Sequence, residues 1–201
     1  TRYISVTGVQ TCALPISLLA RFGSLSAALS APIEDMLKVD CLDSGGRKLA
    51  VGRQTALDLK LLHEAAVRMG RETLKKREVI SSWSALNAYL RVSLAHEPRE
   101  QFRVMFLDKK NQLIADLVMN HGTVDHAPVY PREVMRKALE LAASAMILVH
   151  NHPSGDPTPS AADVEMTRQV VEAARTLGLA VHDHVVVGRE GVTSLKALGL
   201  M

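Results

Sequence analysis

The sequence predicts a mixed α/β (α+β) domain behind a small helical appendage. Three observations lead there. The patterning changes near His96 from helical to strand-like, Ala145–Val149 is an unbroken apolar run, and the helix-period stretch Ser160–Leu177 separates that run from a second strand-like segment, Ala180–Val187. Strands alternating with helices build a layered sheet-and-helix core.

The elements follow in order. Ser17–Ala31 and Pro32–Val39 are short apolar-periodic pieces, and Asp43-Ser44-Gly45-Gly46 is a turn cluster. Thr55–Met69 repeats Leu57, Leu61 and Ala65 at helical spacing and meets Gly70, a suitable helix stop. Arg71–Glu78 reads as a charged connector, and Ser81–Ala95 as a helix with Leu86, Tyr89, Leu90 and Leu94 inward. Phe102–Leu107 and Gln112–Met119, joined by Asp108-Lys109-Lys110-Asn111, read as a hairpin. Pro131–Ser144 is a helix with proline in its first turn. Ala145–Val149 is a fully buried strand leading into His150. A loop with Pro153, Pro157 and Pro159 precedes the helix Ser160–Leu177, which Gly178 closes, and Ser194–Leu198 forms a last turn.

Composition narrows the class. The 201 residues are 47% hydrophobic and 22% charged, which excludes a disordered or collagen-like chain. No apolar run approaches the ~20 residues of a membrane span. Two cysteines, Cys12 and Cys41, form no framework and fit a reducing, cytoplasmic compartment. Residues 1–98 carry 13 basic and 9 acidic groups, and residues 99–201 carry 11 and 12. That field is too weak to argue for nucleic acid by itself. Residues 6–16 resemble the translation of a short-read sequencing adapter, so residues 1–16 are set aside as an expected artefact; residues 17–78 are the helical region and linker, and residues 79–201 the main domain.

Chemistry concentrates in His150-Asn151-His152-Pro153-Ser154-Gly155-Asp156-Pro157-Thr158-Pro159-Ser160-Ala161-Ala162-Asp163. Residues i and i+2 at a strand end share a face, so both imidazoles can reach one ion. The pair alone proves little. Eight histidines give roughly 0.3 such pairs by chance, and the chain holds a second, His182 and His184. The proline loop restrains the backbone and delivers Ser160 and Asp163 at a helix start. A carboxylate there can supply a third ligand and leave the fourth tetrahedral position of a zinc ion open, as catalytic sites do. Ser160-x-x-Asp163 also resembles a capping box, and the two roles are compatible.

His150-x-His152-x7-Ser160-x-x-Asp163 matches the zinc motif of the JAB/JAMM (MPN-type) metalloprotease family. The fuller run His150–Ser160, with Ala127-Pro128-Val129-Tyr130-Pro131-Arg132-Glu133 and Asp183-His184, resembles its bacterial RadC branch over roughly Glu100 to Met201. The resemblance implies Zn²⁺ held by His150, His152 and Asp163. It further implies a water in the open position, an upstream glutamate as general acid/base, and Ser160 as oxyanion stabiliser. Glu100, in Pro98-Arg99-Glu100-Gln101-Phe102, resembles the family's Glu-x-Phe strand start, with Glu97 as its rival; Glu133 and Glu140 lie in a predicted helix. Zinc would bring that water's pKa to about 7. His184 is expected to be structural, beside the site at most; Asp183 faces opposite to His182 and His184. His63, His121 and His126 are expected to be surface or packing residues, and Asp156 yields to Asp163.

The expected function is a zinc-dependent hydrolase of peptide or isopeptide bonds with an unidentified peptide or protein substrate. The alternative is a DNA-associated accessory protein whose zinc domain does not cleave. Val51-Gly52-Arg53-Gln54-Thr55-Ala56 and the following helix are similar to the second half of a helix-hairpin-helix, which RadC proteins carry before the zinc domain; its compact Gly-x-Gly turn is replaced here by Asp43–Val51. Such hairpins can offer backbone N–H groups to DNA phosphates. Lys75-Lys76-Arg77 reads as a solvated linker.

Overall fold

The computed structural model describes residues 13–42, 48–75, 79, 83–121 and 129–201. The Asp43–Gly46 turn, Lys76, Arg77, His126, Ala127 and Pro128 lie outside them, as do residues 1–12. The chain forms two compact units, with the boundary between Ala66 and Val67.

The first unit begins with α1 (Ala13–Phe22), α2 (Leu25–Ser30) and α3 (Ile33–Met36). The Ser24 hydroxyl accepts from Ala27 N at 3.1 Å and caps α2. Leu18, Ala28, Met36, Val39, Val51 and Ala56 make a small core of their own. Its purely helical reading is corrected by two short antiparallel strands, β1 (Asp40–Leu42) and β2 (Lys48–Ala50), which pair Asp40 with Ala50 and Leu42 with Lys48. Three-residue strands are too short to set up a visible alternation. His63 packs as expected, its Nε2 lying 3.2 Å from the Ser30 hydroxyl.

Helix α4 (Arg53–Lys75) runs through Gly70 instead of stopping there, so the predicted connector is helical as far as Lys75. The glycine answers a packing need. A Cβ at Gly70 would lie 3.2 Å from Tyr89 Cδ2, in helix α5 (Trp83–Leu94). Gly178 does end its helix: at φ +71°, it donates to Arg175 O while Leu179 N donates to Ala174 O, a paired C-terminal cap.

The second unit is organised by a five-stranded sheet in the order β4-β3-β5-β6-β7. These strands are β3 (Gln101–Leu107), β4 (Leu113–His121), β5 (Ala145–Asn151), β6 (Ala180–Val187) and β7 (Val192–Ser194). β5 and β6 are parallel; the other neighbours are antiparallel. β7 is a three-residue edge strand against Val185–Val187, and the turn expected over Ser194–Leu198 follows it, with Leu198 N donating to Ser194 O at 3.2 Å.

Period-2 alternation divides the core between the two faces of the sheet. Met105, Leu107, Ile147, Val149, Val185 and Val187 pack with Leu86, Tyr89, Leu90 and Leu94 of α5. Phe102, Val104, Phe106, Met146 and Leu148 pack instead with α6 (Pro131–Glu140) and α7 (Ala161–Thr176), through Val134, Met135, Ala138, Val170 and Ala174. His150 follows Met146 and Leu148 in phase and so emerges on the α7 side. Asn151 follows Val149 and takes the opposite side. None of the described helices is long and apolar enough to cross a membrane.

Candidate metal centre

Three side chains converge where β5 ends and α7 begins. His150 and His152 Nε2 are 2.9 Å apart, His150 Nε2 is 3.3 Å from Asp163 Oδ1, and His152 Nε2 is 3.6 Å from Asp163 Oδ2. One ligand atom from each lies within 4.8 Å of the others, and this is the cluster of three or more potential metal ligands among the described residues. Zinc–nitrogen bonds of about 2.0–2.1 Å separate two tetrahedral ligands by about 3.3–3.4 Å, so the observed spacings bracket what one ion requires.

The backbone explains the convergence. His152 N donates to Val187 O at 2.9 Å, continuing the β5–β6 ladder one residue past the strand. The proline loop then returns the chain to α7, whose capping box unites the two sequence readings of Ser160 and Asp163. The Ser160 backbone N and hydroxyl both donate to Asp163 Oδ2 at 2.7 Å, while Asp163 N donates to Ser160 Oγ at 3.2 Å. Capping therefore aims the carboxylate and leaves Oδ1 directed at His150. Ser160 touches the cluster through Asp163.

Asp156 contributes through its backbone. Its carbonyl accepts from His152 Nδ1 at 2.9 Å, so Nδ1 carries the proton and Nε2 is the nitrogen available to a metal. Its carboxylate is occupied by Thr158, accepting from the backbone N at 2.9 Å and from the hydroxyl at 2.7 Å.

The electrostatics agree with a cation site. Burial pushes the Asp163 carboxyl up, but the adjacent His150 and His152 imidazoles, helped by Ser160, outweigh it and hold the group far below the usual carboxylate range. The Asp163 carboxylate raises His152 more than burial lowers it, with Glu100 adding to the rise. An acid and a base so matched compete for a proton at the point where a divalent cation would replace it.

The β6–β7 turn clamps the loop from behind. Arg189 donates to the carbonyls of Pro153, at 2.9 Å, and Ser154, and Glu190 N donates to Gly155 O at 3.0 Å. Gly155 sits at φ +107°, a conformation that favours glycine.

Residues 80–200, which include His150, His152 and Asp163, match the RadC-like JAB domain family. The chain belongs to that family.

Within this RadC-like JAB domain, two residues matter more than their sequence context indicated. Asn151, between the histidines, is 1% exposed. Its Oδ1 accepts from Gln101 N at 2.9 Å, and its Nδ2 donates to Arg99 O at 3.2 Å and Glu97 O at 3.4 Å. It thus ties the segment bearing Glu100 to the strand bearing both histidines. Glu100 itself precedes β3 by one residue and is half-buried, close enough to act on His152. Its rival Glu97 accepts from the Gln101 side-chain amide at 3.0 Å. Replacing Asn151 by alanine orphans the Gln101 N–H and is expected to cost about 1–3 kcal/mol. Urea unfolding would read this as a lower midpoint, with faster exchange of the Gln101 amide; unchanged values for both would refute the tether.

His184, expected to be structural, is fully buried and its Nε2 lies 2.8 Å from His150 Nδ1. Phe102 covers it edge-on, ring centroids 6.0 Å apart. Burial keeps it well below the ordinary histidine range, hence neutral. Alternation alone could have put it on His150's side, since Leu148 pairs with His184. His182 does not share that environment. The β5–β6 register shifts between Met146 and Ile147, and His182 Nε2 instead meets Asn111 Oδ1 at 2.8 Å. Asp183 does face away, accepting from the Ser194 hydroxyl at 2.6 Å. His121 ends β4, with its side chain outside the described residues.

Proposed function

We propose that this JAB-domain protein is a zinc-dependent hydrolase of peptide or isopeptide bonds, with a peptide or protein as substrate. The observation that carries the reading is the convergence of His150, His152 and Asp163, three ligands that leave a tetrahedral ion one open position. Family membership over residues 80–200 supports it.

In this reading His150 Nε2, His152 Nε2 and Asp163 would hold the zinc ion. When bound, it supplies a Lewis-acid centre and a water acidic enough to lose its proton near neutrality. Glu100 would act as general base toward the attacking water and as general acid toward the leaving amine. Asn151 holds the Glu100 segment in register with the histidines. Ser160 keeps Asp163 aimed, and its hydroxyl serves the developing oxyanion by turning from Oδ2.

The test is a peptide and isopeptide cleavage panel on zinc-loaded protein, with Glu100→Gln alongside. Glu100→Gln is expected to keep its zinc and lose about 10²–10⁴-fold in turnover. Turnover indifferent to the substitution would remove Glu100 from its role. Full zinc occupancy with no cleavage of any panel member, but salt-dependent DNA binding, would favour a non-cleaving accessory protein instead.

A further inference from the structure

Behind His150 a chain of hydrogen bonds has only one consistent direction. Thr167 Oγ1 lies 2.5 Å from the Asp163 carbonyl, one turn back along α7, and 2.5 Å from His184 Nδ1. A carbonyl can only accept, so the single hydroxyl proton of Thr167 points to Asp163 O. Toward His184 the hydroxyl must then accept, which requires a proton on His184 Nδ1. A neutral imidazole carries one N–H, so His184 Nε2 is an acceptor. His150 Nδ1, 2.8 Å away, must donate to it. In the neutral imidazole, the form that can ligate a metal, the nitrogen of His150 left without a proton is then Nε2, the one facing His152 and Asp163.

We propose that Thr167 and His184 are positioning residues that hold His150 in its Nδ1–H form and present its Nε2 lone pair to the ion. The inference rests on the zinc reading for its function, although the tautomer itself does not. Reversing the chain would put the His150 proton on Nε2, where the cation belongs, and would take the Thr167 proton from the Asp163 carbonyl. Asp163 thus acts twice: its carboxylate faces the ion, and its backbone carbonyl sets the direction of the relay. Thr167 and His184 are both fully buried, so water is not available to substitute for either partner.

The test uses the whole chain. Two-bond ¹H–¹⁵N correlation spectra of histidine-labelled protein, zinc-free and zinc-loaded, should assign Nδ1–H to both His150 and His184. Thr167→Val keeps the side-chain shape and removes the acceptor; by chelator competition its zinc affinity should fall about 10–100-fold. Thr167→Ser should restore it, and zinc-free melting of all three proteins checks the fold. A valine variant that binds zinc like the native protein, or a native His150 with its proton on Nε2 in the zinc-free state, would overturn the proposal. Native protein that bound no zinc would defeat the metal reading, while the spectra would still report the tautomers.

Discussion

Gly188→Ala should disrupt the loop between His152 and Asp163 without touching a candidate metal ligand. A Cβ there would lie 2.1 Å from Gly155 O, 2.7 Å from Gly155 C and 3.0 Å from Pro157 N. All three are backbone atoms, so no side-chain rotation relieves the overlap and the loop itself must move. That loop carries the Asp156 carbonyl which orients His152, and it leads into the Ser160–Asp163 cap. Overpacking of this kind costs about 1–3 kcal/mol, at about 2–4 °C of Tm per kcal/mol for a chain of this size. Zinc affinity should drop as well, by about 10–100-fold, the usual consequence of losing a partner that orients a ligand. Calorimetry and chelator competition read the two effects. A variant matching the native protein in both would mean that the β6–β7 turn is not a support for the site.

Removing one of the candidate ligands should have the larger effect on metal. Purified protein is expected to hold about one zinc per chain, and His150→Ala should hold almost none after desalting. This substitution also strips His184 Nε2 of its partner, so it carries a folding cost of about 1–3 kcal/mol for the orphaned buried group. His152→Ala separates the two consequences. His152 is partly exposed, with a side chain 19% accessible, and its Nδ1 partner is a loop carbonyl within reach of water. It should lose zinc to a similar degree while the zinc-free protein melts close to the native value. Elemental analysis and zinc-free melting curves check both variants. Zinc retained at the native level in both would eliminate this cluster as the metal site.

The convergence of His150, His152 and Asp163 was largely readable along the chain because its motif is local. His150 and His152 share a strand end, and Asp163 is bound to Ser160 by a cap written into four consecutive residues. Long elements were readable for a similar reason: the apolar phase of α5, the burial of β5 and the Gly178 stop are each local patterns. Where two causes share one residue type, the reading failed. Gly70 and Gly178 look alike in sequence, yet one accommodates Tyr89 and the other supplies a positive φ.

What the sequence by itself determined is the identity of the converging side chains and the mixed α/β class. Motif spacing and hydrophobic period both act over a few residues and need no partner. Only the tertiary structure decided which residues hold that cluster in place. Asn151 reaches across some fifty positions to Arg99 and Gln101. His184 meets His150, and Thr167 meets His184, only after α7 has crossed from β5 to β6. Gly188 matters because of a carbonyl 33 residues earlier in the chain. Each of these roles comes from a long-range approach between buried polar groups or backbones, and no local pattern in the chain encodes such an approach.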